Sequence, residues 1–269
     1  MKLIITNILF CILFTNVFAN ADLPMSSLIN ISAKQRALSQ RIFKSWVYKK
    51  NNVLDAQAEK EIQLSVETFG NTLNLLIENI DDKLTKNEFV LVKSQWENYK
   101  IIINDAANNN YLATLNNCNK VLDASQKALD ALIKYANNKK NSEGSTYNYG
   151  TVVSLTELCG RQRYLTQRFV MYYNLHFYNQ CAVTTPAVVA ANTLNAINAN
   201  FNTLLIADYN TTDIYDELST LMIEWKLIYA KYSNNINNKL INTTELFDTM
   251  NKYFAKFDKL TQLYGNLLN

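Results

Sequence analysis

Residues that break helices or build metal sites are scarce in this sequence. Its 269 residues include two prolines, five glycines, four cysteines and one histidine. So little proline and glycine argues against a loop-rich fold and predicts long helices joined by short loops. The lone histidine, His176, has no glutamate three residues before it and does not follow a CxxC pair, which argues against a di-iron or haem site. We therefore expect no metal site and no cofactor.

Long hydrophobic runs are also missing. The apolar stretch over residues 3–18 is interrupted by Thr and Asn residues and is shorter than the about 20 residues of a membrane-spanning helix. It follows Lys2 and precedes Ala19-Asn20-Ala21, the small-x-small pattern of a signal peptidase site. We predict a signal peptide at residues 1–21 and a mature protein that is periplasmic or secreted, with no stable membrane insertion.

Cysteine usage and charge exclude further classes. Apart from Cys11 in the leader, the chain holds Cys118, Cys159 and Cys181, an odd number without CxxC spacing. This excludes a disulfide scaffold and leaves one disulfide plus one thiol as an open alternative. The net charge of +3, or +2 without Lys2, is too small to indicate a nucleic-acid partner.

Apolar residues recur at helical spacing through most of the remaining chain. The pattern predicts a first helix from about Ser26, a second helix capped by Asp55 and a third that starts with a capping box at Thr85. A fourth apolar-periodic stretch begins near Leu112. Four such helices form one antiparallel four-helix bundle.

The same pattern then starts again. Gln35 corresponds to Gln162 and Trp96 to Trp225, at offsets of 127 and 129 residues. Offsets this similar indicate a duplicated unit. We predict an all-α protein of two tandem four-helix-bundle units with antiparallel helices, at residues 22–138 and 151–269. A polar linker at residues 139–150 joins them. It is long enough to place the units side by side, which we favour, and end-to-end stacking of the units is the alternative.

One cationic motif occurs in the first helix of both units: "AKQRALSQR" from Ala33 and "GRQRYLTQR" from Gly160. In each copy an arginine shares its helix face with small or hydroxyl-bearing residues, and its planar fork of donors suits oxyanions. The alternative is a purely structural role, in which these arginines form ion pairs with carboxylates of a neighbouring helix. The candidate ligand-binding residues are Arg36, Arg163, Gln35, Gln162, Ser32, Ser39, Thr166, Arg41 and Arg168.

The two segments, "INISAKQRALSQRI" from Ile29 and "LTELCGRQRYLTQRF" from Leu155, resemble the PilJ-type sensor domain, the N-terminal domain of type IV pili methyl-accepting chemotaxis transducers. They are also similar to the first helix of nitrate/nitrite sensor kinases. The resemblance implies an extracytoplasmic four-helix bundle that senses a small ligand. It further implies that Arg36 and Arg163 grip an anion where two first helices meet. The sequence departs from the motif at Ala33-Lys34, where Gly-Arg is usual, and carries Glu157 where the first copy has Asn30.

We therefore expect an exported ligand-binding sensory module for a small anion, with no catalytic residues and no enzymatic activity. The sequence holds no kinase or methyl-accepting region, so we expect any signal to pass through a membrane-bound partner. The alternative is a structural or adaptor helical module that binds a protein partner without a small ligand.

Overall fold

The computed structural model describes residues 23–142, 149–180 and 185–268, which contain eight α-helices and no strand. The all-α prediction is confirmed. The helices are α1 Met25–Lys50, α2 Asp55–Asn79, α3 Lys83–Asn104, α4 Tyr111–Ser142, α5 Tyr149–Phe177, α6 Pro186–Leu205, α7 Thr212–Ser233 and α8 Thr243–Asn266. None of these helices combines the length and the apolar character that a membrane crossing needs.

Three sequence features fall wholly or partly outside the described residues. These are the expected leader at residues 1–21, residues 143–148 of the expected linker, and Cys181. The described ends of the linker are helical, because α4 continues to Ser142 and α5 begins at Tyr149. The helices therefore extend further into the segment at 139–150 than the sequence predicts.

Helices α1 and α5 occupy the middle of the assembly. Helix α1 packs against α2, α4 and α5, and α5 packs against α6 and α8 as well as α1. The sequence pattern predicts a core side marked by Leu38 and Ile42, but Arg36 and Gln40 on other sides of α1 are also fully buried. The difference has a simple cause: α1 is surrounded by other helices and has no broad solvated face over this stretch.

Equivalent aromatic pairs anchor the outer helices. In the first half Trp96 stacks on Phe69 with ring centroids 4.1 Å apart, and in the second half Trp225 stacks on Phe201 at 5.9 Å. Both tryptophans are almost completely buried. Each pair joins the second helix of its half to the third, and stacked aromatic pairs of this kind add to the stability gained from burial.

Two predicted helix starts are wrong by a few residues. Helix α3 is capped by Asp82, whose carboxylate accepts the backbone N–H of Thr85 at 2.8 Å, so Thr85 lies inside the helix. Helix α2 is preceded by Leu54 in the left-handed conformation, and Asp55 lies in the first turn. An aspartate there still favours the helix through the macrodipole, which is why the sequence pattern looked like a cap.

Two of the cysteines are buried free thiols. Cys118 and Cys159 form no disulfide, and burial raises the pKa of each thiol to about 12. Thiolates are the reactive species, so neither side chain is suited to redox chemistry in this fold.

The closest approach of α1 and α5 depends on small residues. A Cβ placed on Gly160 would lie 3.2 Å from the Cβ of Ala33 and 3.1 Å from the Nη2 atom of Arg163. Ala33 and Gly160 occupy equivalent positions of the repeated motif. The small residue at the start of each motif therefore allows the two first helices to come together.

We expect Gly160→Ala to be less stable than Gly265→Ala by about 1–2 kcal/mol, because the added methyl overpacks the α1–α5 contact. A Cβ on Gly265 in α8 meets nothing within 4 Å, so this matched change isolates the general benefit of replacing a helical glycine. Urea unfolding of both variants measures the difference. Equal unfolding free energies would show that the helices are not in close contact at Gly160.

Candidate functional site

The arginine of the first motif is buried in the α1–α5 interface. Arg36 is 0% exposed. Its Nη1 atom donates to Oε1 of Gln126 on α4 at 2.5 Å and to Oε1 of Glu157 on α5 at 2.8 Å. The guanidinium also lies over the ring of Tyr164, 5.3 Å from its centroid. Burial lowers the pKa of Arg36 below its ordinary value, and the charge of Glu157 opposes this effect.

The arginine of the second motif has a matching environment. Arg163 is also 0% exposed, and its Nη1 atom donates to Oδ1 of Asn30 on α1 at 2.8 Å and to Oδ1 of Asp258 on α8 at 2.5 Å. Its Nη2 atom donates to the backbone oxygen of Asn30 at 3.2 Å. Each arginine thus bonds to the first helix of the other half and to the fourth helix of its own half.

The two arginines occupy equivalent positions of the repeated motif, but their acids are exchanged between the two sides of the interface. Asn30 and Glu157 are equivalent positions, 127 residues apart. Arg36 bonds to a carboxylate across the interface, that of Glu157, and to an amide of its own half, that of Gln126. For Arg163 the amide comes from across the interface and the carboxylate, Asp258, from its own half. Each buried guanidinium therefore has one carboxylate, as a buried charge requires.

Further charges surround these pairs. Arg161 also bonds to Glu157, at 3.2 Å, and Lys34 bonds to Asp258 at 2.9 Å. A third carboxylate, Asp130, accepts a hydrogen bond from Gln126 at 2.8 Å. With Arg36 and Arg163, these two hydrogen-bonded groups, which together we call the cluster, contain four cations and three carboxylates. Although burial would raise the pKa of Asp258, Arg163 and Lys34 hold it below its ordinary value.

Several donors of the cluster are unused. Among the described residues, the Nε atoms of Arg36 and Arg163, the Nη2 atom of Arg36 and the hydroxyl of Ser32 have no hydrogen-bond partner. All of these atoms are buried. A guanidinium has five N–H donors, so both arginines retain donor capacity beyond the bonds to their amides and carboxylates.

The other predicted site residues lie away from the two guanidiniums or support the helices. Gln35 donates to Oγ1 of Thr72 at 2.6 Å, and Gln162 donates to the backbone oxygen of Ile197 at 2.9 Å. These bonds join each first helix to the second helix of its half. The hydroxyls of Ser39 and Thr166 donate to the backbone oxygens of Arg36 and Arg163 respectively, each at 2.8 Å. Arg41 bonds to Glu61 at 2.9 Å, and Arg168 bonds to Gln40 at 3.4 Å.

Sequence reasoning missed a second buried ionic network. Lys44 on α1 is 0% exposed, and its Nζ atom lies 2.5 Å from Oε1 of Glu61 on α2. It also donates to Gln167 on α5 and Asn251 on α8, each at 2.8 Å. Burial lowers the pKa of Lys44 to about 8, while Lys44 and Arg41 overcome burial and lower the pKa of Glu61 to about 2. The network joins four helices from both halves.

One sequence signal pointed to this network. Lys44 stands in the segment "IFKSWV", where large apolar residues flank the pair Lys44-Ser45 on both sides. Met171 occupies the equivalent position of the second motif, so the network has no counterpart in the repeat and a comparison of the two copies does not reveal it.

The described residues contain no group of three or more His, Cys, Asp or Glu side chains that could hold a metal ion. The chain matches no protein-family model, no curated protein and no solved structure. The resemblance to PilJ-type domains therefore depends on the two motifs alone, and the chemistry of the site has to be argued from its own residues.

We expect Glu61→Gln to lower the free energy of unfolding by about 3–5 kcal/mol, because it leaves the buried Lys44 ammonium without its carboxylate. The matched control is Glu59→Gln, also on α2, which breaks the exposed ion pair with Lys49 and should cost at most about 1 kcal/mol. Urea unfolding near neutral pH measures both. Similar losses in the two variants would contradict a stabilising role for the buried pair.

The ion pair between Lys44 and Glu61 should also affect how the free energy of unfolding depends on pH in acid. The pKa of Glu61 is about 2 in the folded protein, against an ordinary value of 4.5. The folded state therefore keeps Glu61 charged where the unfolded chain binds a proton. This contribution is complete above pH about 4.5 and is lost as the pH falls towards 2. We expect the wild-type chain to lose more unfolding free energy than Glu61→Gln across this range. Parallel pH profiles would contradict the pairing.

Proposed function

We propose that this protein is a ligand-binding module that takes a small anion where α1 and α5 cross. One observation supports this most directly: the arginines of the two motifs both enter the same interface, and each reaches the equivalent position of the other first helix. The cations of the cluster outnumber its carboxylates. Buried guanidiniums with spare donors are the groups that bind oxyanions best in proteins.

To bind at this site, an external anion has to replace a carboxylate of the protein. Glu157 and Asp258 occupy the positions on the two guanidiniums that an external oxyanion would take. Their side chains are 13% and 19% exposed, whereas both arginines are 0% exposed. The carboxylates therefore lie on the solvent side of the cluster and, on release, still have a cation next to them. An entering anion replaces one charge with another, so the buried arginines are never left unpaired.

The remaining features of the proposal follow from the duplication and the resemblance. The eight helices would form two tandem four-helix units with antiparallel helices, one at residues 22–138 and the other at 151–269. The protein would act in the periplasm or outside the cell as a sensory module, by binding rather than catalysis. A membrane-bound partner would receive the signal.

A structural or adaptor role is the second candidate, and the surface of the protein supports it. Large apolar side chains are exposed on α3 and α7, the third helices of the two halves, including Leu84 at 76%, Ile223 at 70% and Leu227 at 75%. Exposed apolar residues that cluster on a surface indicate a contact with another protein. Under this candidate the buried arginines only hold the two halves together.

A thermal-shift measurement on the full chain separates the two candidates. Nitrate, nitrite, sulfate and small carboxylates are compared with chloride at equal ionic strength. An anion at a hundred times its dissociation constant adds about 2.7 kcal/mol of stability, which is about 5–10 °C for a protein of this size. If none of these anions shifts the melting temperature beyond chloride, the anion site is wrong and the structural candidate remains.

Substitutions locate the site. Arg36→Gln and Arg163→Gln should each remove most of the anion-dependent shift, and both variants should fold because Arg161 and Lys34 remain beside the two carboxylates. Glu157→Gln should enlarge the shift at subsaturating anion, since it removes the competing carboxylate. Glu97→Gln, which breaks an exposed pair with Lys100, is the matched control and should leave the shift unchanged. Loss of binding in only one arginine variant would rule out a shared site.

A further inference from the structure

A cleft of about 320 Å³ lies at one end of the first four helices. It is formed where α1 ends, α2 begins and α3 ends, and it shares no lining residue with the anion cluster. Its floor is apolar and buried, with Trp46, Ile62 and Ile103. A cleft of this volume is at the lower end of the range for small-molecule sites, which combine an apolar surface with a few polar groups.

The rim of the cleft carries charges of both signs that are not all paired with one another. Lys49 forms an ion pair with Glu59. The Nζ atom of Lys50 donates to the backbone oxygen of Ala106 at 2.9 Å and has no carboxylate partner among the described residues. Of the acidic residues, Asp55 and Asp105 line the cleft and form no ion pair in the described part of the chain. One cation and two carboxylates of the rim therefore have no partner of opposite charge among the described residues, although Oδ1 of Asp105 accepts the backbone N–H of Ala107 at 2.9 Å.

The second half shows that packing of the repeat does not require this arrangement. Tyr173 stands at the position equivalent to Trp46, and its hydroxyl bonds to both backbone groups of Ile241 at 3.0 Å. Phe177 stands at the position of Lys50, and its ring lies 6.0 Å from that of Tyr173. By contrast, the buried indole nitrogen of Trp46 has no hydrogen-bond partner among the described residues. The first half therefore has a lysine and an unused indole donor at positions where the second half has a further aromatic ring and a satisfied hydroxyl.

We propose that the cleft binds a free α-amino acid with an apolar side chain. The ligand's carboxylate lies at Lys50, and its ammonium lies between Asp55 and Asp105. Its side chain covers the floor beside Trp46, whose ring already has the Nζ atom of Lys50 5.6 Å from its centroid. A zwitterion satisfies both signs of the rim at once, whereas a simple anion meets two unpaired carboxylates and is repelled. A free amine would leave the charge of Lys50 without a partner.

Isothermal titration calorimetry of the full chain with L-phenylalanine and L-leucine tests this site. We expect saturable binding of at least one of them. The matched analogues are 2-phenylethylamine, which lacks the carboxylate, and 3-phenylpropanoate, which lacks the ammonium. Each should bind about tenfold more weakly or worse, because each loses one charge-assisted contact. The proposal is overturned if neither amino acid binds below about 1 mM, or if either analogue binds as tightly as phenylalanine.

Substitutions at exposed or half-buried residues of the rim should leave the fold intact. Lys50→Gln and Asp55→Asn should each weaken amino-acid binding about tenfold through the loss of one charged partner. Lys60→Gln and Asp123→Asn change the same residue types at exposed positions outside the cleft and should leave the affinity unchanged. Unchanged affinity in both rim variants would place the ligand elsewhere. Arg36→Gln should keep amino-acid binding, so this site can fail or succeed independently of the anion site.

Discussion

The structure depends on neutralising charge that is buried between α1 and α5. Two guanidiniums and one ammonium, those of Arg36, Arg163 and Lys44, are completely removed from solvent. An unpaired buried charge costs several kcal/mol, and a paired one is tolerated only when its remaining donors find acceptors. The positions of the surrounding helices follow from this requirement, because Gln126, Glu157 and the other acceptors come from α2, α4, α5 and α8 as well as α1.

This constraint also explains why the central helices carry so many polar residues. A buried helix in most proteins is apolar on all sides, so its register depends on the fit of apolar side chains alone. Here most polar side chains of the motif bond to an acceptor on another helix, as Gln35 does to Thr72 and Gln162 to the backbone of Ile197. Hydrogen bonds of this kind add little net stability each, but a helix that shifts by one turn loses all of them. The motif therefore sets the register of α1 and α5.

The helices could be predicted because helical periodicity is a local property of the sequence. The repeated motif, with Arg36 and Arg163, could be recognised because its residue types recur at a constant offset. Their partners could not, since Gln126 and Asp258 follow the arginines they bind by 90 and 95 residues and lie on helices whose rotation no spacing rule sets. The burial of Lys44 was not predicted. Assigning residues to helix faces assumes that one face is in solvent, and the middle of α1 has no such face.

The exchanged acids have a consequence for the way the two halves recognise each other. If two copies of the first half met through α1, each Arg36 would face Gln126 and a second Asn30, so neither guanidinium would have the acid that Glu157 now supplies. If two copies of the second half met through α5, each Arg163 would face two carboxylates, those of Asp258 and Glu157, where it now faces one. Only the unlike pair gives one acid to each arginine. The unequal placement of the acids thus gives each half a surface that suits the other half better than a second copy of itself, and it disfavours like-with-like association between neighbouring chains.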